Sequence, residues 1–178
     1  MKGIVFTEFL EMVEEKYGYE AVDRIIRQSK VPNDGAYTAT GTYPSSEMHA
    51  LLTTLCNAEQ LSGDDVLTAF GDHLFRVFLK NYPWLITASK DSFQLLESVE
   101  GTIHVDVLKL YPDAELPRFQ TTRLDEHTLE MIYQSDRRMS SLAVGLIMAT
   151  ARHFQEQITI ETESLESTGK SVRFLIKK

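Results

Sequence analysis

Residues 101–137 read GTIHVDVLKLYPDAELPRFQTTRLDEHTLEMIYQSDR, and within them the hydrophobic period falls from about 3.6 to about 2. Upstream of Pro117, the apolar residues Phe93, Leu96, Val99, Ile103, Val107 and Leu110 recur at helical spacing. They predict one buried helix, capped by Asp91 and stopped by Pro112. Downstream, Phe119, Thr121 and Arg123 alternate, Asp125-Glu126-His127 marks a turn, and Leu129, Met131, Tyr133 and Ser135 alternate again. A change of period at one proline predicts an α+β fold. A helical N-terminal part packs on a C-terminal part made of an antiparallel sheet and helix.

Working outward, the segment before this stretch is helical by pattern. Residues 1–17 place Phe6, Phe9, Leu10 and Val13 on one stripe, and Gly18 is a plausible stop. A second helix over 19–29 turns Val22, Ile25 and Ile26 inward. A third starts at Ser45 or Ser46, carries Met48, Leu51, Leu52 and Leu55, and is ended by Gly63. The next starts at Ser62 or Asp64, carries Val66, Phe70, Leu74 and Phe78, and breaks at Tyr82-Pro83. Residues 84–88 read as a short apolar connection. Beyond Arg137, a helix with Leu142, Ala143, Leu146 and Thr150 precedes a hairpin over 158–163 and 172–176.

Composition bounds the function. The chain has 178 residues, the size of a single domain spanning 1–178, and 43% of them are apolar, enough for a core. Its net charge of −8 disfavours nucleic acid, whose phosphates require a basic patch. No apolar run is long enough for a membrane span, and no secretory leader pattern is present. Cys56 is the lone cysteine, which leaves no internal disulfide and no cysteine-rich zinc site. A cytoplasmic location is expected. No GxSxG, HExxH, P-loop or paired CxxC appears, so enzymatic chemistry is not expected.

The chemistry lies in the opening stretch. If the segment is extended, Tyr133, Ser135 and Arg137 share a face and offer a phenol, a hydroxyl and a guanidinium fork. That donor set suits one or two carboxylates. His104 sits at the edge of its apolar stripe, placed to look into a cavity with a neutral imidazole suited to a metal. A flat, largely apolar ligand with an iron centre and two carboxylates satisfies both, and that ligand is haem. Singly, each feature has an ordinary reading: a hydrogen-bonded core histidine, a polar strand face, a loop proline. Their order along the chain sets them apart. His49, His73, His127 and His153 lack the downstream signature and read as packing or surface residues.

The chain resembles the H-NOX family, the haem–nitric oxide/oxygen binding domains related to the haem domain of soluble guanylate cyclase. The matching features are Met1-Lys2-Gly3, Phe70-Gly71, His104 followed by Tyr111-Pro112, Pro117, and the run Tyr133 to Arg137. The resemblance implies haem b (iron protoporphyrin IX) held between the two parts of the fold. His104 would be its iron ligand, Tyr133, Ser135 and Arg137 would hold its propionates, and Pro117 would pack on and distort the ring. It implies a distal wall of Val5, Phe9, Leu74, Phe78, Leu142 and Leu146, all apolar. Oxygen-binding members place a tyrosine where this chain has Leu142, and no tyrosine follows Tyr133 here. Bound oxygen gains from a hydrogen-bond donor, whereas nitric oxide needs none. The expectation is therefore a sensor of nitric oxide, binding CO as well, whose His104 link lengthens or breaks on signalling. Stand-alone bacterial members act in trans on a sensor histidine kinase, or on a cyclic-di-GMP synthase or phosphodiesterase, so such a partner is implied. The alternatives are an O₂- or redox-responsive haem protein, or a haem-free module of the same fold binding another carboxylate.

Overall fold

Amphipathic helices whose apolar stripes meet build the N-terminal half. The computed structural model describes residues 1–178, the side chain of Asn33 aside. Helix α1 (Gly3–Tyr17) buries Phe6, Phe9, Met12 and Val13, and α2 (Tyr19–Ser29) buries Ala21, Val22 and Ile25. Between them Gly18 takes a φ of +83°, which glycine reaches without a Cβ penalty. Helix α3 (Ser45–Glu59) and α4 (Gly63–Asn81) add Met48, Leu51, Leu55, Val66, Phe70 and Leu74 to the same core. Gly63 opens α4 instead of closing α3. The end of α3 falls at Gln60, which takes the left-handed conformation. The connection after Tyr82-Pro83 coils into a short helix, α5 (Trp84–Thr87).

The helix expected between Asp91 and Pro112 is not continuous. It consists of α6 (Ser92–Ser98), a π-helical turn (Val99–Ile103) and α7 (His104–Leu110). Asp91 does cap α6, its carboxylate accepting from the Gln94 N–H at 2.8 Å. The π turn closes with the His104 N–H on the Val99 carbonyl, one residue wider than an α-turn. That insertion shifts the phase of everything after it. Consequently α7 is not a buried helix: none of its residues is buried, and Val105, Leu108 and Leu110 are exposed.

The C-terminal part is a four-stranded antiparallel sheet in the order β1-β2-β4-β3, made of β1 (Arg118–Arg123), β2 (Thr128–Gln134), β3 (Thr159–Ser164) and β4 (Ser171–Lys177). Leu129, Met131 and Tyr133 on β2, with Val172, Phe174 and Ile176 on β4, face inward at period 2. Helix α8 (Ser140–His153) covers that face with Ala143 and Ile147. Its other side crosses α4 at Gly71 and Gly145. A Cβ on Gly145 would overlap the Thr68 carbonyl oxygen, and one on Gly71 the Leu142 carbonyl oxygen, so the backbones touch. Among the described residues, no helix is long and apolar enough to cross a membrane.

Candidate functional site

A cavity of about 290 Å³ lies where α1, α4, α7, α8 and the sheet converge. Its walls are mainly apolar, as cofactor sites usually are, with a few polar groups among them. His104, Pro117, Tyr133, Ser135 and Arg137 all line it.

His104 follows directly on the π turn, and its side chain is 14% exposed. Burial pulls its pKa below the usual histidine value, while the charge and hydrogen bond of Glu100 push the other way. The ring is therefore neutral at pH 7. Its Nδ1 lies 3.2 Å from Glu100 Oε2, a carboxylate that can only accept, so Nδ1 carries the proton and Nε2 keeps a lone pair. A neutral imidazole with one nitrogen committed is the usual form of a metal ligand.

Tyr133 is buried near the end of β2. Its hydroxyl oxygen accepts the Met139 N–H at 3.1 Å, which leaves the phenolic proton for another acceptor. Ser135 and Arg137 do not continue the strand, contrary to the expectation of one extended face. Strand β2 ends at Gln134, and the chain turns where the Ser135 N–H donates to the Lys170 carbonyl at 2.8 Å. Ser135 Oγ then accepts the Arg137 N–H at 3.2 Å, and the Arg137 guanidinium reaches the carbonyl of Glu115 and lies 3.5 Å from its carboxylate. The three side chains converge through a turn rather than by alternation.

Val5, Leu74, Phe78, Leu142 and Leu146 line the cavity as well, but Phe9 does not. One turn beyond Val5, Phe9 is carried about 6 Å along α1. It lies in the helical core, edge-on to Phe70 with ring centroids 5.3 Å apart. His73 is buried, but it does not line the cavity either. Its Nε2 is 3.2 Å from Glu8 on α1 and its ring stacks on Phe70. Among the polar lining residues that the sequence reading did not assign to the cavity are Tyr82, Tyr111 and Thr150, with Lys2 and Glu115. The neighbouring Tyr111 side chain and burial push the Tyr82 pKa up, and Thr150 spends its proton on the Leu146 carbonyl at 2.8 Å. Tyr82 lies four residues after Phe78 and Tyr111 four after Val107, a spacing that could have placed both beside known wall positions.

An imidazole with a free nitrogen, a spare phenolic proton, a hydroxyl and a guanidinium, set around apolar walls, fit an iron macrocycle with carboxylate tails. A family model described as "Haem-NO-binding" matches residues 2–162. This chain belongs to the haem-NO-binding, or H-NOX, family. Members of that family are haem-based gas sensors.

The fold agrees with that assignment. An Fe(II) unliganded H-NOX variant from K. algicida is 45% identical, with a TM-score of 0.96 over 100% of this chain and 96% of that one. The S. oneidensis H-NOX, solved in the Fe(II)NO state, is 27% identical with a TM-score of 0.92, covering 99% and 98% of the two chains. The Shewanella woodyi H-NOX in the Fe(II)CO state is 34% identical with a TM-score of 0.84, covering 100% and 94%. Among curated proteins, soluble guanylate cyclases 89Da and 89Db of Drosophila melanogaster are 24% identical over 157 residues. That match takes in 86% of this chain but only 23% of each cyclase.

Proposed function

We propose that residues 1–178 form one H-NOX module that holds haem b and senses nitric oxide without retaining oxygen. The observation that carries this is a cavity in which His104, held by Glu100, shares walls with Val5, Leu74, Phe78, Leu142 and Leu146. None of those five side chains has a polar hydrogen. Haem b would supply a ferrous iron able to take NO or CO.

The protein's share is binding, orientation and exclusion. His104 contributes Nε2 as the metal ligand. Tyr133, Ser135 and Arg137 donate to the propionates, with charge-assisted bonds worth about 1.5–3 kcal/mol each. Pro117, rigid and lining the cavity, bears on the macrocycle. The apolar wall keeps water out and gives bound oxygen no donor, while nitric oxide needs none. Helix α7 is only partly buried, so if His104 were released from the iron the helix could move with it. That two-state movement alters the surface shown to a separate protein. The family resemblance points to a sensor histidine kinase, or a cyclic-di-GMP synthase or phosphodiesterase. The chain acts as a sensor, not a catalyst.

The test is the absorption spectrum of the reduced protein alone, in air and with NO. A five-coordinate ferrous haem, unchanged in air and shifted by NO to a second five-coordinate form, is expected. A stable oxygen adduct would overturn the selectivity and direct attention to Tyr82 and Tyr111 as donors. Failure to bind haem on reconstitution would overturn the whole reading.

A further inference from the structure

We infer that Glu100 is a positioning residue that orients the His104 imidazole and ties it to the first strand of the sheet. This rests on His104 being the haem ligand. A single atom makes both links. Glu100 Oε2 lies 3.2 Å from His104 Nδ1 and accepts the backbone N–H of Phe119 at 3.0 Å.

The fold explains why the carboxylate is there. Glu100 is the second residue of the π turn, and the widened turn brings its side chain between the start of α7 and β1. Strand β1 lies at the sheet edge, so its outward N–H groups have no partner strand. Glu100 satisfies that of Phe119. The Phe119 ring lies 5.8 Å from the His104 ring and 5.6 Å from that of Tyr133, so the contact continues into the sheet.

Two consequences follow from shared acceptance. A carboxylate taking the Nδ1 proton fixes the tautomer and ring plane and makes Nε2 a stronger donor to a metal. A movement of His104 must also stretch the bond to Phe119 or carry Glu100 with it. Glu100 is half exposed, so solvent screens part of its charge and the effect on the metal bond is graded, not all-or-none.

The experiment compares wild type, Glu100→Gln and Glu100→Ala as haem-loaded proteins. Its readouts are the iron–histidine stretch by resonance Raman and amide hydrogen exchange at Phe119, the latter also measured without haem. In Glu100→Ala the stretch moves to lower frequency. In Glu100→Ala, Phe119 exchanges about tenfold faster or more, as expected when a hydrogen bond to a charged acceptor is lost. Glu100→Gln keeps a carbonyl acceptor for Phe119 but a weaker one for the imidazole. It therefore shows the smaller stretch shift with near wild-type exchange.

An unchanged stretch in both variants would overturn the orienting role. Unchanged Phe119 exchange in Glu100→Ala would overturn the tie to β1. A wild-type spectrum with no iron–histidine band would instead overturn the ligand assignment, which separates the two failures.

Discussion

The seam between α4 and α8 and the helix α7 both border the cavity, yet they are held in opposite ways. At the seam, Gly71 and Gly145 bring two backbones into contact, and Leu67, Phe70, Leu74 and Ile147 are buried beside it. Helix α7 is at most half-buried, with His104 and Val107 partly covered and Val105, Leu108 and Leu110 exposed, and it is held at its start by Glu100 and just past its end by Lys2 pairing with Asp113 at 3.1 Å. Packing fixes the first in place, because close-packed elements cannot deform gradually. A few polar contacts hold the second, and those can be exchanged at low cost. Under the proposed function, the seam would serve as a firm wall and α7 as the ligand arm that moves.

The sharpest way to break the comparison is His104→Ala. Haem should be lost on purification, while the melting temperature of the haem-free protein stays near that of haem-free wild type. A collapse of that melting temperature would show that α7 is structural after all. Gly145→Ala tests the other side. The added methyl meets the Thr68 carbonyl, and overpacking of this kind costs about 1–3 kcal/mol, read by chemical denaturation. A neutral result would mean that the seam is not fixed by backbone contact.

Arg137→Ala should weaken haem retention by about tenfold or more, in line with about 1.5–3 kcal/mol for one charge-assisted bond, without altering the His104 spectrum. The smallest effect is Asp91→Ala, which removes the cap of α6 and costs about 1 kcal/mol. Its bond from Gln94 holds the Asp91 carboxyl below the usual carboxylate range. The folded-state pKa is depressed, so this stabilisation is full above the unfolded value and is lost as pH falls through the folded one. The gap between wild type and Asp91→Ala in denaturant titrations should therefore close in acid and remain constant near neutrality.

Much of this was legible in the sequence, and the losses have physical causes. Pro117 marked the change from helix to sheet because the period of burial changes there. The order of His104, Pro117 and the Tyr133-to-Arg137 run identified the family. The π turn was hidden because the apolar spacing from Phe93 to Leu110 reads as one stripe, and an inserted residue leaves no compositional mark of its own. Ser135 was placed on the strand because two-residue alternation looks the same across a strand and the turn that follows it. Phe9 and Val5 lie only about 40° apart around α1, at about 100° per residue, and the cavity edge falls between them. Glu100 carries no signal of its own in the sequence, since its partners lie on elements whose meeting the sequence does not show.

The contact of Gly71 with Gly145 has one more consequence. With no side chain between the two backbones, α4 and α8 sit at their closest approach, and the distance between them is set by the main chain itself. Leu74 and Phe78 on one arm keep their distance from Leu142 and Leu146 on the other. The span between those pairs is thus gauged by bare backbone, and a single methyl group at either glycine is the smallest chemical increment by which it could be retuned.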